Sequence, residues 1–182
     1  MSNGQAKPRI LVIACSDSRV DPAQIFDVAP GELFVVRNVA ALVPPCEQGE
    51  GLHGTSAAIE FAVEGLGIKT VLVMGHARCG GVAAAIDRGR WGTKSSAKTS
   101  NMRFVNAWID LLAPVVEALA GADLPSTERG AVELSLRNLR TFPFVADKVS
   151  AGELNLEGAR FDIATGELDL YNEARGWVIG AG

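Results

Sequence analysis

Cys15, His76 and Cys79 are the residue types from which a catalytic zinc site is made. Such a site takes three protein ligands from cysteine and histidine and leaves a fourth position for water. His-x-x-Cys puts two ligands within one turn of chain, and Cys15 would have to close the site from a distant segment. Zinc held this way turns water into a hydroxide nucleophile for a small electrophile. Two thiolates cancel the formal charge of the ion, so its water should be acidified less than by three imidazoles, and a neighbouring group must help. Asp17, two residues after Cys15, is placed to accept a hydrogen bond from the zinc-bound hydroxide and orient it. Arg19 can hold Asp17 through a bidentate, charge-assisted pair that keeps the carboxylate ionised and off the metal. Glycines 75, 80 and 81 are expected to let the backbone turn tightly around the ion.

These residues need a scaffold that brings two loops together. Arg9 to Ala14, Leu33 to Arg37 and Thr70 to Met74 read as short apolar strands covered on both faces. Asp21-Pro22 reads as an N-cap and first helical residue for a short helix through Phe26. Thr55 to Leu66 has apolar residues at helical spacing and stops at Gly67. A helix begins at Gly80, Arg88 to Ser100 is a polar connection, and helices follow over Met102 to Leu119, bent or divided at Pro114, and over Thr127 to Leu139. Leu154 to Ile163 and Glu167 to Tyr171 flank Ala-Thr-Gly as a β-hairpin. The fold class is therefore α/β: a mostly parallel sheet flanked by helices, with a C-terminal hairpin. Ligands in such sheets bind beyond the carboxyl ends of the strands, where Cys15 to Arg19 and Gly75 to Gly80 both fall.

Composition fits one compact domain over residues 1–182. Hydrophobic residues make up 48% and charged residues 21% of the 182-residue chain, a globular balance that needs no metal merely to fold. Seventeen basic against twenty-one acidic residues give a net charge of -4 without a basic stripe, so nucleic acid is not an expected partner. No apolar run is long enough to span a bilayer, and Met1 to Pro8 is polar, so a cytoplasmic location is expected. Three cysteines are too few and too scattered for a disulfide framework; Cys46 reads as a bystander.

Cys-Ser-Asp-Ser-Arg, Leu-Phe-Val-Val-Arg-Asn and Gly-His-Ala-Arg-Cys-Gly-Gly together resemble the β-class carbonic anhydrases, and the likeness runs from about Lys7 to Tyr171. It includes Leu-Arg-Asn-Leu-Arg-Thr-Phe-Pro-Phe-Val and the hairpin Leu-Glu-Gly-Ala-Arg-Phe-Asp-Ile-Ala-Thr-Gly-Glu-Leu. The resemblance implies reversible hydration of CO₂ to bicarbonate and a proton by one zinc per chain. Cys15, His76 and Cys79 match the zinc ligands, Asp17 and Arg19 the catalytic dyad, Phe34 and Val39 the apolar substrate pocket, and Gly80 a glycine of the ligand loop. Gln5 matches a substrate-contacting glutamine only if one extra residue is allowed. His53 is the only other histidine and the one candidate for a proton shuttle.

Departures from the family carry expectations of their own. Most relatives have a helical segment ahead of the first strand, where this chain has only Met1 to Pro8. Leu52 stands where relatives often carry tyrosine. In relatives that bicarbonate locks in an inactive form, the pocket uses a tryptophan, an arginine and a tyrosine; here Val12, Arg37 and Phe161 occupy those positions, so no such lock is expected. The resemblance also implies a homodimer or larger homo-oligomer with shared clefts, and Phe61, Val63, Leu52 and Val43 are apolar residues expected to need cover from a partner. Two rival readings remain. Carbonyl sulfide or carbon disulfide would suit the same nucleophile, and a non-catalytic zinc or thiol sensor would use Cys15 and Cys79. A nucleotide site is weaker, because the chain has neither Gly-x-Gly-x-x-Gly after its first strand nor a Gly-Lys-Ser/Thr loop.

Overall fold

The computed structural model describes residues 8–47, 51–91 and 101–180. Six strands, β1 (Ile10–Cys15), β2 (Leu33–Asn38), β3 (Thr70–His76), β4 (Asn155–Phe161), β5 (Leu168–Asn172) and β6 (Gly176–Val178), form one sheet in the order β2-β1-β3-β4-β5-β6. The first four run parallel and the last two pairings are antiparallel. This is the expected mixed α/β sheet, with β6 as an edge strand that the sequence pattern did not reveal.

Helices α1 (Pro22–Ile25), α2 (Gly54–Glu60), α3 (Gly80–Trp91), α4 (Arg103–Ile109), α5 (Ala113–Ala118), α6 (Leu124–Leu139) and α7 (Pro143–Ser150) complete the described chain. Asp21 caps α1 by accepting from the amides of Ala23 and Gln24, as expected. The segment read as one helix over Thr55 to Leu66 divides into α2 and a π-helical turn at Phe61–Gly65. The predicted division near Pro114 appears as a 3₁₀ turn, Asp110–Leu112, immediately before α5. Helix α3 runs on through Arg88 to Trp91, where a polar connection was expected. Helix α6 starts three residues earlier than its apolar spacing suggests, because Asp123 accepts from the Ser126 amide and caps it. Helix α7, opened by Pro143, was not anticipated.

Side chains alternate across the sheet. Leu11, Ile13, Val71 and Val73 face a core completed by Ile59, Val63, Val132, Leu136, Leu139 and Val145 from α2, the π turn, α6 and α7. The opposite row, Val12, Ala14, Met74 and Ala159, packs with Ile25 and Phe26 at α1. Helix α6 lies unusually close to the sheet: a Cβ on Gly75 or Gly158 would meet a Val132 methyl at 2.8 Å. That close approach brings the first turns of α6 up to the end of β3.

Candidate metal centre and active site

Strands β1 and β3 are parallel neighbours with Ala14 opposite Met74, so their carboxyl ends lie side by side. Cys15 ends β1 and His76 ends β3. The turn that returns Cys79 to them is made by Arg78, at φ 57°. None of glycines 75, 80 and 81 has a positive φ, which corrects their expected role. Gly75 and Gly81 serve close packing instead: a Cβ on Gly81 would meet Val39 Cγ1 at 2.9 Å. A left-handed arginine costs on the order of 1 kcal/mol, so the loop must be held by contacts elsewhere. The ligand atoms of Cys15, His76 and Cys79 lie within 4.8 Å of one another, and the three residues are only 6%, 1% and 2% exposed.

The imidazole is poised as a ligand. His76 Nδ1 lies 2.9 Å from the Ala77 carbonyl oxygen, and a carbonyl only accepts, so the proton belongs on Nδ1. In the neutral ring Nε2 is then the acceptor nitrogen, and it is buried and without a hydrogen-bond partner. A buried unpartnered nitrogen beside two sulfurs is what a soft cation needs, and these residues fit a metal ion. The two thiols are pushed in opposite directions. Contact with Cys79 holds the Cys15 thiol down at about 4, and the same contact, with burial, pushes Cys79 far up. Burial opposes charge on His76, but the adjoining Cys15 outweighs it and raises the imidazole. A cation bound here would displace whatever protons these ligands carry.

Asp17 and Arg19 adopt the predicted pairing. Arg19 donates from Nε to Oδ1 at 2.9 Å and from its terminal nitrogen to Oδ2 at 2.6 Å, while its backbone amide donates to Oδ1 at 3.0 Å. These bonds hold the Asp17 carboxyl well below the usual carboxylate range. Its Oδ2 stands 4.0 Å from His76 Nε2, beside the cluster rather than in it. From β2, Arg37 donates to the carbonyls of Cys15 and Asp17 at 2.9 and 2.6 Å and to Asp21 Oδ2 at 3.1 Å, fixing the backbone of this loop.

The sequence matches the carbonic anhydrase family over residues 10–168. The chain belongs to the β-carbonic anhydrases. It is 34% identical to beta carbonic anhydrase 3 of Arabidopsis thaliana over 90% of its own length, and spans 64% of that relative. Among solved structures it resembles the β-carbonic anhydrase CcaA, with 31% identity, a TM-score of 0.79 and coverage of 95% of this chain and 84% of that one. It also resembles tetrameric β-carbonic anhydrases of Sordaria macrospora, at 32% identity and a TM-score of 0.73, covering 92% of this chain and 81% of that one.

Within this β-carbonic anhydrase fold the remaining candidate residues scatter. Val39 follows β2 and touches the ligand loop at Gly81, and its carbonyl accepts from Trp108 Nε1 at 2.8 Å. Gly80 is exposed, and a Cβ there would meet nothing within 4 Å. Phe34 pairs with Leu11, four positions before the Asn38 that pairs with Cys15, about 13 Å along the strand. There it packs on the main core and against Phe61, with ring centroids 6.0 Å apart. Gln5 lies outside the described residues. His53 precedes α2 with Nδ1 3.9 Å from Glu47, and Cys46 donates its amide to Thr141 Oγ1 at 2.7 Å. Val43 and Val63 are buried within their own chain at 1% exposure, correcting the expectation that they need a partner; Leu52 and Phe61 are exposed.

Motif and spacing did not single out Glu128. Its Oε1 accepts the Cys79 amide at 3.1 Å although the residue is 2% exposed. The signal was present in the pattern: Glu128 stands on the stripe of Ala131, Val132, Ser135, Leu136 and Leu139, all buried. A carboxylate on the apolar face of a helix is a buried group that needs partners.

Proposed function

We propose that this chain is a zinc-dependent carbonate dehydratase, interconverting CO₂ and bicarbonate with release of a proton, and that Cys15, His76 and Cys79 hold one zinc ion. The observation that carries the reading is the buried, unpartnered Nε2 of His76 grouped with the Cys15 and Cys79 thiols, with the Arg19-paired Asp17 beside them. When bound, zinc supplies the Lewis acidity that makes water nucleophilic near neutral pH. Asp17, held ionised by Arg19, can only accept at Oδ2, so it takes a hydrogen bond from the attacking water and turns its lone pair toward the carbon. Arg19 keeps that carboxylate from swinging onto the metal. Val39, packed on the ligand loop at Gly81, and the exposed Gly80 beside Cys79 support an apolar approach for a small molecule without a dipole. Phe34 faces its own core, away from the ligand row. The exposed Leu52 and Phe61 support a homodimer or larger assembly, in keeping with the tetrameric Sordaria macrospora relatives.

The test is stopped-flow CO₂ hydration on protein of measured zinc content. One zinc per chain and rapid hydration are expected, and Cys79→Ala should lose both. Full zinc occupancy in Cys79→Ala would remove Cys79 from the ligand set. Zinc-loaded protein that releases sulfide from carbonyl sulfide but leaves CO₂ unreacted would reassign the substrate.

A further inference from the structure

Behind the ligand loop runs a buried ionic chain that the proposed reaction does not use. Glu128 Oε1 accepts the Cys79 amide, and Oε2 of the same carboxylate accepts from Arg160 Nε at 2.8 Å. Arg160 reaches Asp169 Oδ2 at 3.3 Å and Asp162 Oδ2 at 3.8 Å. Arg129 donates twice to Asp169 Oδ2, at 3.2 and 2.7 Å, and the Gly180 amide donates to Oδ1 at 3.1 Å. Glu128, Arg160 and Asp169 are 2%, 6% and 5% exposed. Stability alone is a poor account of such a chain, because apolar residues of similar volume often replace a buried ion pair at no loss.

We propose that Glu128 is a positioning residue for the metal site, clamping the Cys79 peptide so that its Sγ faces Cys15 and His76, with Arg160 and Asp169 aiming the clamp. The proposal rests on the metal reading above. Cys79 follows Arg78, the left-handed residue that the loop must hold in place. Its amide is tied by a charge-assisted bond rather than by water or a neutral group. Glu128 can aim only one oxygen at Cys79 because Arg160 has taken the other. Helix α6 presents Glu128 there because Gly75 and Gly158 admit the helix against β3 and β4.

The experiment compares two double variants of the full chain. Glu128→Leu with Arg160→Met replaces the pair by apolar side chains and leaves the Cys79 amide without an acceptor. Glu128→Gln with Arg160→Met is equally free of the charge pair but restores an acceptor. Metal affinity is read by chelator competition, site geometry by the thiolate-to-metal and d–d bands of the cobalt(II) form, and the fold by melting of the metal-free proteins. The Leu variant is expected to lose ten- to a hundredfold in affinity, as changes behind metal ligands do, with shifted cobalt bands. The Gln variant should recover most of both. Wild-type affinity and spectrum in a folded Leu variant would overturn the clamp while leaving the metal site standing. A wild-type chain that takes up no metal overturns the metal reading and the inference with it. Should the Leu variant fail to fold, Glu128→Asp decides: one methylene shorter, it cannot span Cys79 and Arg160, and unchanged affinity with an unchanged cobalt spectrum again overturns the proposal.

Discussion

The two loops that meet at the candidate metal centre are built differently. The Cys15 loop carries one candidate ligand and then the Asp17–Arg19 pair, and it is tied down through its backbone carbonyls by Arg37 from β2. Its working end is open: the Arg19 side chain is 51% exposed. The His76–Cys79 loop contributes two ligands and no reactive side chain. It is tied through amides, Ala77 to the Phe161 carbonyl at 2.8 Å and Cys79 to Glu128, and is buried apart from Arg78 and Gly80. A metal enzyme needs both: a stiff, dry wall to fix coordination and an accessible rim where water and substrate arrive. Dividing these roles between loops allows the rim to be polar without wetting the ligands.

The largest effect that tests this division is on the rim. Asp17→Asn and Arg19→Ala should keep metal content and lower kcat/KM for CO₂ by one or more orders of magnitude, since they remove orientation and leave every ligand in place. Metal analysis alongside stopped-flow kinetics checks it. If either variant loses its metal, the rim also supports coordination and the division fails; near-normal turnover in both would make the pair structural.

How much of this could be read from the sequence follows the same line. The Cys15, His76 and Cys79 cluster and the Asp17–Arg19 pair were legible because their members lie in short motifs, Cys-x-Asp-x-Arg and His-x-x-Cys, directly after an apolar strand. The parallel core was legible for the same reason, through runs such as Ile10 to Ala14. What failed was long-range or conformational. Arg160 comes 32 residues after Glu128 and Asp169 later still, and each alone resembles a solvated charge on a helix or hairpin. Arg78 gave no sign of its left-handed backbone, so glycines received the turn. Val43 and Val63 looked available to a partner because nothing local showed that α6 and the sheet would cover them.

A smaller effect tests the buried side through pH. Burial alone would raise the Asp169 carboxyl, but the hydrogen bond from Arg129 and the amide of Gly180 outweigh it and hold the group below its ordinary value. A depressed carboxylate contributes stability that is present above its unfolded pKa of about 3.9 and is lost as pH falls through the lower folded value. Thermal melts of the wild type should therefore decline on acidification through and below that range. Asp169→Asn should melt lower at neutral pH, by on the order of 2 kcal/mol, and show a shallower acid decline. Equal acid slopes in the two proteins would mean that the buried chain does not carry this linkage.

The smallest expected effect is none at all, and it concerns whether the open rim can be switched. The pocket that locks some relatives uses a tryptophan, an arginine and a tyrosine, and here the arginine, Arg37, already spends three of its five N–H donors, on the Cys15 carbonyl, the Asp17 carbonyl and Asp21. Asp21 is itself fixed, because its other oxygen accepts from the amides of Ala23 and Gln24 at the start of α1. Val12 is fully buried and offers no donor, and Phe161 has no hydroxyl. Only the two remaining N–H groups of Arg37 could then meet the anion, without the two further donors that the locked relatives use. Bicarbonate should therefore inhibit CO₂ hydration only as a product, along a hyperbolic curve whose shape does not change near neutral pH. Initial rates across a bicarbonate series at two pH values check this. Cooperative inhibition that deepens as pH falls would show that Arg37 suffices for the lock without the other two donors, and the rim would then be a switch rather than a fixed frame.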